Sequence, residues 1–280
     1  MRVRASQLLL FCAVIAIGLS ATSCQSGPTA PQKGTPAFYW SAANETFAAQ
    51  DYMRTIDHLE QLSRTENEYT ARAQPWRLVL SYGIAKGYIE LADTFDSGAG
   101  SNRANPTPFR KQANTYRNYA SQLALQFTEA CRRFQKGSKD DTVTLDFKFP
   151  TGSAAEVPQM RKIASGLVLQ QSEIEDIQKK HLDRAVVLAT CRAAGAPDDT
   201  AKAQELFKSG EAKVPRNVFV VAMATALLEQ SDVFTRTKLD RPDRVTMLCN
   251  DALEAVKDLP PTKETKELMQ KLQKSLKKAR

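Results

Sequence analysis

From Phe38 onward, apolar residues recur at intervals of three and four, the spacing of one face of an α-helix. This spacing predicts helices over Phe38–Ala49, Tyr52–Leu62, Trp76–Ala85 and Tyr88–Phe95. A polar, glycine-rich stretch, Asp96–Pro108, reads as a loop. Phe109–Gly137 then returns to helix, with Tyr116, Tyr119, Leu123, Phe127 and Phe134 on one stripe. The period changes at Thr142–Phe149, where Val143, Leu145, Phe147 and Phe149 alternate with polar residues as in a strand, until Pro150 ends the run. One strand cannot make a sheet, so this segment is expected either to pack against helices as an extended arm or to pair with a partner. Helical spacing resumes over Met160–Gln171. Ser172 and Glu175 have capping-box spacing, although the helix could equally run through. Beyond them, Ile174, Ile177, His181, Ala185, Leu188 and Arg192 fall on one face, where His181 is expected to be a packing residue and not a ligand. The remaining predicted helices are Ala201–Ser209, Asn217–Phe234 opened by Pro215, Asp243–Lys257 opened by Pro242, and Thr262–Arg280. The apolar run Val218–Leu228 is about half the ~20 residues that a membrane span requires, and reads as a buried helix.

The first four helices carry an internal repeat. Trp40 and Trp76 are 36 residues apart, as are Tyr52 and Tyr88, and Pro36 and Pro75 stand near the start of each unit. An early Trp, then a Tyr about twelve residues later opening a second helix, resembles the tetratricopeptide repeat. In this match Gln50-Asp51-Tyr52 and Lys86-Gly87-Tyr88 take the place of the inter-helix turns. The period is 36 where that family has 34, and the match covers roughly residues 37–97. The resemblance implies an all-α fold, an α-solenoid of helical hairpins, here with one short extended β-like arm in the middle. The basic last helix, with Leu268, Leu272 and Leu276 on one stripe, would cap the open end of such a solenoid or touch an anionic membrane.

The first 24 residues have a different character. Arg2 and Arg4 precede an apolar run from Leu8 to Leu19, and the small residues Ser20 to Ser23 lead to Cys24. That order is the grammar of a bacterial secretory signal peptide. A Cys directly after small residues resembles a lipobox, which implies cleavage before Cys24 and a covalent lipid (palmitate or a related acyl chain) on its thiol. Ala21-Thr22-Ser23 also suits the ordinary signal peptidase, and an uncleaved anchor is a third possibility. Gln25 to Ala37, rich in Pro, Gly and small polar residues, would be a loose tether spanning on the order of 20 Å. Gln25 itself, being other than Asp, goes with outer-membrane sorting in lipoproteins of this type. The organisation expected is therefore a signal peptide over 1–23, lipidated Cys24 and tether over 24–36, and a helical-repeat region over 37–137. An arm over 138–153 and a C-terminal helical region over 154–280 complete it.

Composition narrows function more by exclusion. The chain has 280 residues, a net charge of +8 and two histidines, His58 and His181. Removing residues 1–23 takes away two bases and no acids, leaving +6. A mild excess of this kind, without a basic patch interleaved with aromatics, argues against nucleic-acid binding. Cys131, Cys191 and Cys249 have no metal-type spacing; they read as small buried hydrophobes, or two of them as one disulfide. No nucleophile, phosphate-loop or zinc motif is present. Of 21 aromatic residues, 15 lie between Phe38 and Phe134, a concentration that packs helices together or lines a groove. One polar stripe, Lys111, Asn114, Arg117, Asn118 and Ser121, has donors that could hold a peptide or an anion.

The sequence therefore predicts a non-enzymatic protein with no metal and no cofactor beyond the lipid on Cys24. Its expected place is the bacterial cell envelope, tethered in the membrane (most consistent with the outer membrane, facing the periplasm), with a helical scaffold for protein–protein interaction. The alternative is a periplasmic ligand-binding accessory lipoprotein of a transporter. That layout is similar to the tetratricopeptide-like lipoproteins of some TRAP-type systems, and a small ligand would take the place of the protein partner.

Overall fold

The computed structural model describes residues 31–279 except 138 and 198. The predicted signal peptide, Cys24 and the first part of the tether lie outside the described residues. The chain is mostly helical, with ten α-helices and one two-stranded sheet among the described residues.

The first predicted hairpin forms. Helix α1 (Pro36–Ala48) starts where the Thr35 hydroxyl accepts the Phe38 N–H at 3.2 Å, with Pro36 in its first turn. Helix α2 (Tyr52–Leu62) is capped by the Asp51 carboxylate, which accepts from the Arg54 N–H at 3.3 Å. Gln50 makes the turn between them at φ 60°. The second predicted hairpin does not form. Thr70–Ser101 is one continuous helix, α3, of 32 residues, about 48 Å long at 1.5 Å per residue. Lys86-Gly87 is helical, Pro75 lies inside the helix, and the first six residues of the expected loop at Asp96–Pro108 extend it. A single glycine in a helix costs only about 1 kcal/mol against Ala, less than packing returns at this position. Gly83 and Gly87 are where a later helix, α6 (Gln171–Ala193), presses closest. A Cβ on Gly83 would sit 3.0 Å from Val186 Cα and 3.0 Å from Ala189 Cβ; one on Gly87 would sit 2.7 Å from Leu182 Cδ2.

Helix α4 (Thr107–Lys136) runs back along α3. The ring pairs Phe95–Phe109, Tyr88–Tyr116 and Tyr82–Phe127 step in opposite directions along the two chains. Strand β1 (Thr142–Leu145) pairs antiparallel with β2 (Ala212–Pro215), Thr142 opposite Pro215 and Leu145 opposite Ala212. The alternation holds as expected, with Val143, Leu145 and Phe147 buried. The arm's pairing partner lies within the chain, and Phe147 stacks on Trp76 at 5.1 Å between centroids.

Helix α5 (Met160–Ala164) is shorter than its sequence pattern, because Gly166 turns the chain at φ 85°. Leu167–Leu169 is thus loop, and α6 (Gln171–Ala193) begins afresh. Its first turn uses Glu173, which accepts the Gln170 N–H at 2.9 Å, two residues before the expected capping pair. Helix α7 (Thr200–Leu206) leads to β2 and then to α8 (Arg216–Ser231), which ends in a short 3₁₀ turn at Asp232–Phe234. The stretch Arg216–Phe234 is long and apolar enough to cross a membrane, but two thirds of it is buried inside the protein. Helices α9 (Pro242–Val256) and α10 (Lys263–Ala279) follow, and α10 seats Leu268 and Leu272 against them.

Helix α3 is the axis of this arrangement, contacted by α2, α4, α5, α6, α8 and β1. Trp76, Leu78, Val79, Leu80, Tyr82 and Ile84 are all buried, so the middle of α3 has no solvent face. In a stack of hairpins each pair touches only its neighbours; here one long helix is surrounded. The hydrophobic core is continuous from Ala43 to Leu272.

Candidate functional site

Polar residues on α3 fall on one line, Tyr82, Lys86, Glu90 and Asp93, at helical spacing. Opposite them, Glu229 of α8 accepts from Tyr82 Oη at 2.7 Å, Lys86 Nζ at 2.6 Å and Arg192 Nη1 at 2.5 Å. Burial pushes the Glu229 carboxyl up, but Arg192 and Lys86 outweigh it and hold the group below its ordinary value. The same burial, reinforced by Glu229, raises the Tyr82 phenol above its own. One turn or so further on, Glu90 lies 3.0 Å from His181 Nε2, off the angle for a hydrogen bond, and 3.5 Å from Arg184 Nη1. Desolvation raises Glu90, and His181, Lys86 and Arg184 together bring it below the usual range. Asp93 and Asp232 both hold Lys238, at 2.7 and 2.6 Å. Each charge in this seam has an opposite charge within reach, so the seam clamps α3 to α6 and α8. His181, expected to be a packing residue, is buried beside it.

The polar stripe on α4 divides. Lys111, Asn114 and Asn118 are exposed. Arg117 is buried, ion-paired with Asp96 of α3 and donating to Asn114 Oδ1 at 3.1 Å. Its guanidinium joins two helices and is not available to a ligand. Lys111, Asn114 and Asn118 share the surface with Tyr119, and Ser121, half-buried, donates its hydroxyl to Asn118 O at 2.9 Å.

Tyr119 borders the most interface-like concavity. A groove of about 210 Å³ opens between the start of α2, the middle of α3 and the first half of α6, walled by Tyr52, Met53, Ile84, Tyr88, Gln178 and Leu182. Tyr88 at its floor lies 5.3 Å from the Tyr119 ring and stacks on Tyr116 at 5.8 Å. Tyr116 Oη donates to Gln178 Oε1 at 3.1 Å, which fixes that wall. Burial and the neighbouring phenols push Tyr88 up to about 12; burial and then Asp183 raise Tyr52 further. Met53 and Tyr119 are 42% and 46% exposed, two of only five large hydrophobics so exposed among the described residues. Asp51, Glu175, Lys179 and Asp183 ring the mouth.

No family model, curated protein or solved structure matches the chain. The geometry must therefore carry the functional reading.

A second, larger concavity of about 370 Å³ lies at the far end of α3, walled by Phe95, Phe109, Ile163, Leu167, Leu169 and Ile174, with Lys111 at its edge. Cys131, Cys191 and Cys249 are buried free thiols, each raised by desolvation, so the disulfide alternative does not hold among them. Among the described residues, no three His, Cys, Asp or Glu side chains gather as a metal site.

Sequence spacing identified Tyr52 and Tyr88, through the repeat, and the exposed part of the α4 stripe. It missed the Glu229 cluster. The available signal was a lone carboxylate in the apolar run Val218–Ser231, where an acid needs partners.

Proposed function

We propose that the protein is a membrane-tethered lipoprotein of the bacterial cell envelope whose helical body is a non-enzymatic docking scaffold for another envelope protein. The observation that carries this reading is the groove between α2, α3 and α6. It pairs exposed Tyr119 and Met53 with a buried tyrosine floor, the residue types that dominate protein interfaces, and surrounds them with a polar rim. The charged groups of the seam between α3, α6 and α8 are engaged with one another, which suits a rigid platform. The tether and Cys24 supply membrane attachment in this reading, and the finer idea of a repeat-built body is retained only for the α1–α2 hairpin.

The test is intact mass spectrometry of the native protein purified from membranes after mild crosslinking. The expected result is a diacylated N-terminus at Cys24 with one stoichiometric protein partner. Replacing Met53 and Tyr119 by Ala should lose that partner, since truncating a central aromatic anchor typically costs about 2 kcal/mol or more, roughly 30-fold in affinity. An unlipidated mass with no partner refutes the proposal. A thermal shift with small molecules would then favour the ligand-binding alternative.

A further inference from the structure

The larger concavity carries a feature that a protein-docking groove does not need. Gly166, in the left-handed region at φ 85°, turns the chain out of α5 so that Leu167 and Val168 stand side by side at 52% and 58% exposure. These are the two most exposed large hydrophobics among the described residues. The loop that presents them is held from behind. Ser101 Oγ donates to Ala164 O at 2.9 Å and Asn102 Nδ2 to Gly166 O at 3.0 Å, which joins it to the end of α3.

Charge around this tip is predominantly positive. Arg103 follows Asn102, Arg110 follows the wall residue Phe109, Lys111 lines the edge and Lys162 precedes the wall residue Ile163. All four are exposed and make no ion pair among the described residues. Three neighbouring acids are ion-paired, Asp96 with Arg117, Glu156 with Arg161 and Asp176 with Lys180. Glu173 and Glu175 bond only to the neutral Gln170 N–H and Gln171 amide and keep their charge, so the unpaired bases outnumber the unpaired acids four to two. An apolar tip beside a net excess of cations is complementary to an anionic bilayer, where the tip enters the acyl boundary and the cations meet headgroup phosphates.

We propose that the Leu167–Val168 tip and its cationic rim dock this protein onto an anionic lipid surface. The contact rests on the proposed tether in one respect. Two apolar side chains and four cations bind weakly alone, and a tether raises the effective concentration of the surface so that a weak contact is occupied. The body would then lie against the membrane in one orientation, not swing freely.

The experiment places a tryptophan in the tip (Leu167→Trp) of the full chain, reconstituted in vesicles with brominated acyl chains, with or without phosphatidylglycerol. The matched control is Leu206→Trp, another exposed leucine beyond the opposite end of α6, a helix about 34 Å long. Emission from Trp40 and Trp76 is subtracted using the parent chain. Quenching at position 167 but not at 206, stronger with phosphatidylglycerol, is expected. Each rim cation near an anionic surface contributes roughly fivefold in partitioning, so Arg110→Glu with Lys162→Glu should lower the quenched fraction at least tenfold at unchanged thermal midpoint. Equal quenching at 167 and 206, or none at 167 in a vesicle-bound chain, overturns the proposal while leaving the tether intact. Protection of Leu167 by a second polypeptide without quenching overturns it in favour of a protein occupant. Quenching in a chain that carries no lipid on Cys24 keeps the docking tip and removes the tether.

Discussion

The sharpest test of the architecture is one methyl group on α3. Where the sequence pattern suggested a turn near Gly87, the structure has a helix crossing, and Gly83 is where the opposing backbone comes closest. A Cβ there meets Val186 Cα and Ala189 Cβ at 3.0 Å and Ala185 O at 3.2 Å, against an ordinary contact of about 3.4–4 Å. Two of these three atoms are backbone, so relief requires α6 as a whole to move by several tenths of an ångström. Overpacking of this kind costs about 1–3 kcal/mol, and the gain in helix propensity from Gly to Ala returns at most about 1 kcal/mol. Gly83→Ala should thus destabilise by about 1 kcal/mol, the middle of a range of about 0–2. Gly100 gives the matched control, since it lies in the last turn of the same helix with nothing within 4 Å of its Cβ position. Gly100→Ala keeps the propensity gain, reduced by its terminal position, without the clash, and should stabilise by about 0.5 kcal/mol. Thermal unfolding followed by circular dichroism reads the difference; at this chain length 1 kcal/mol moves the midpoint by about 2–4 °C. If Gly83→Ala proves as stable as Gly100→Ala, the close α3–α6 crossing is wrong.

Three further outcomes follow from side chains already placed. Glu229 has a depressed pKa when folded, so its contribution is present above the unfolded carboxyl value and is lost as pH falls through the lower folded one. Glu229→Gln should therefore cost about 1–3 kcal/mol at neutral pH and flatten the acid limb of stability below about pH 4.3; urea midpoints across pH check both, and an unchanged acid limb refutes the assignment. Asp96→Ala should cost about 1–3 kcal/mol by leaving the Arg117 guanidinium buried without its counter-charge, and Arg117→Met in the same chain should recover part of it in chemical denaturation. The Cys131 thiol, buried and raised by desolvation, should label with a thiol reagent only at the rate the chain opens; prompt labelling in native buffer would contradict its placement.

Legibility in the sequence followed the range of the interactions involved. Elements set by local periodicity and capping were readable: α1, α2, α4, α8, α9 and α10 all lie within a few residues of their predicted spans. The misreadings occurred where a contact distant in sequence decided the outcome. Gly87 looks like a turn in one dimension because its use, admitting Leu182 and Ala185, is 95 residues or more away. The β2 strand has only four residues, Ala212–Pro215, too few for alternation to register, and it exists because β1 supplies its hydrogen bonds. The pattern over Met160–Gln171 continued past Ala164 because Leu167–Leu169 is apolar. Apolar side chains in a helix face and in an exposed tip read alike until Gly166 is seen to turn the chain.

The same distinction applies to the candidate sites. Of the stripe Lys111, Asn114, Arg117, Asn118 and Ser121, all on α4, three members are exposed. Yet spacing on one helix cannot show that Asp96, on another, has taken Arg117. The groove at Tyr88 depends on residues from α2, α3, α4 and α6, and only its tyrosines were marked in advance, through the repeat at Tyr52 and Tyr88. What the repeat detected was a shared packing demand. In each unit a Tyr must fill the space beside a neighbouring helix, whether a turn or an unbroken helix precedes it. That demand explains how the aromatic pattern can be real while the second hairpin is absent. It also puts Tyr88 at the floor of a groove whose exposed edge, Met53 and Tyr119, the repeat did not specify.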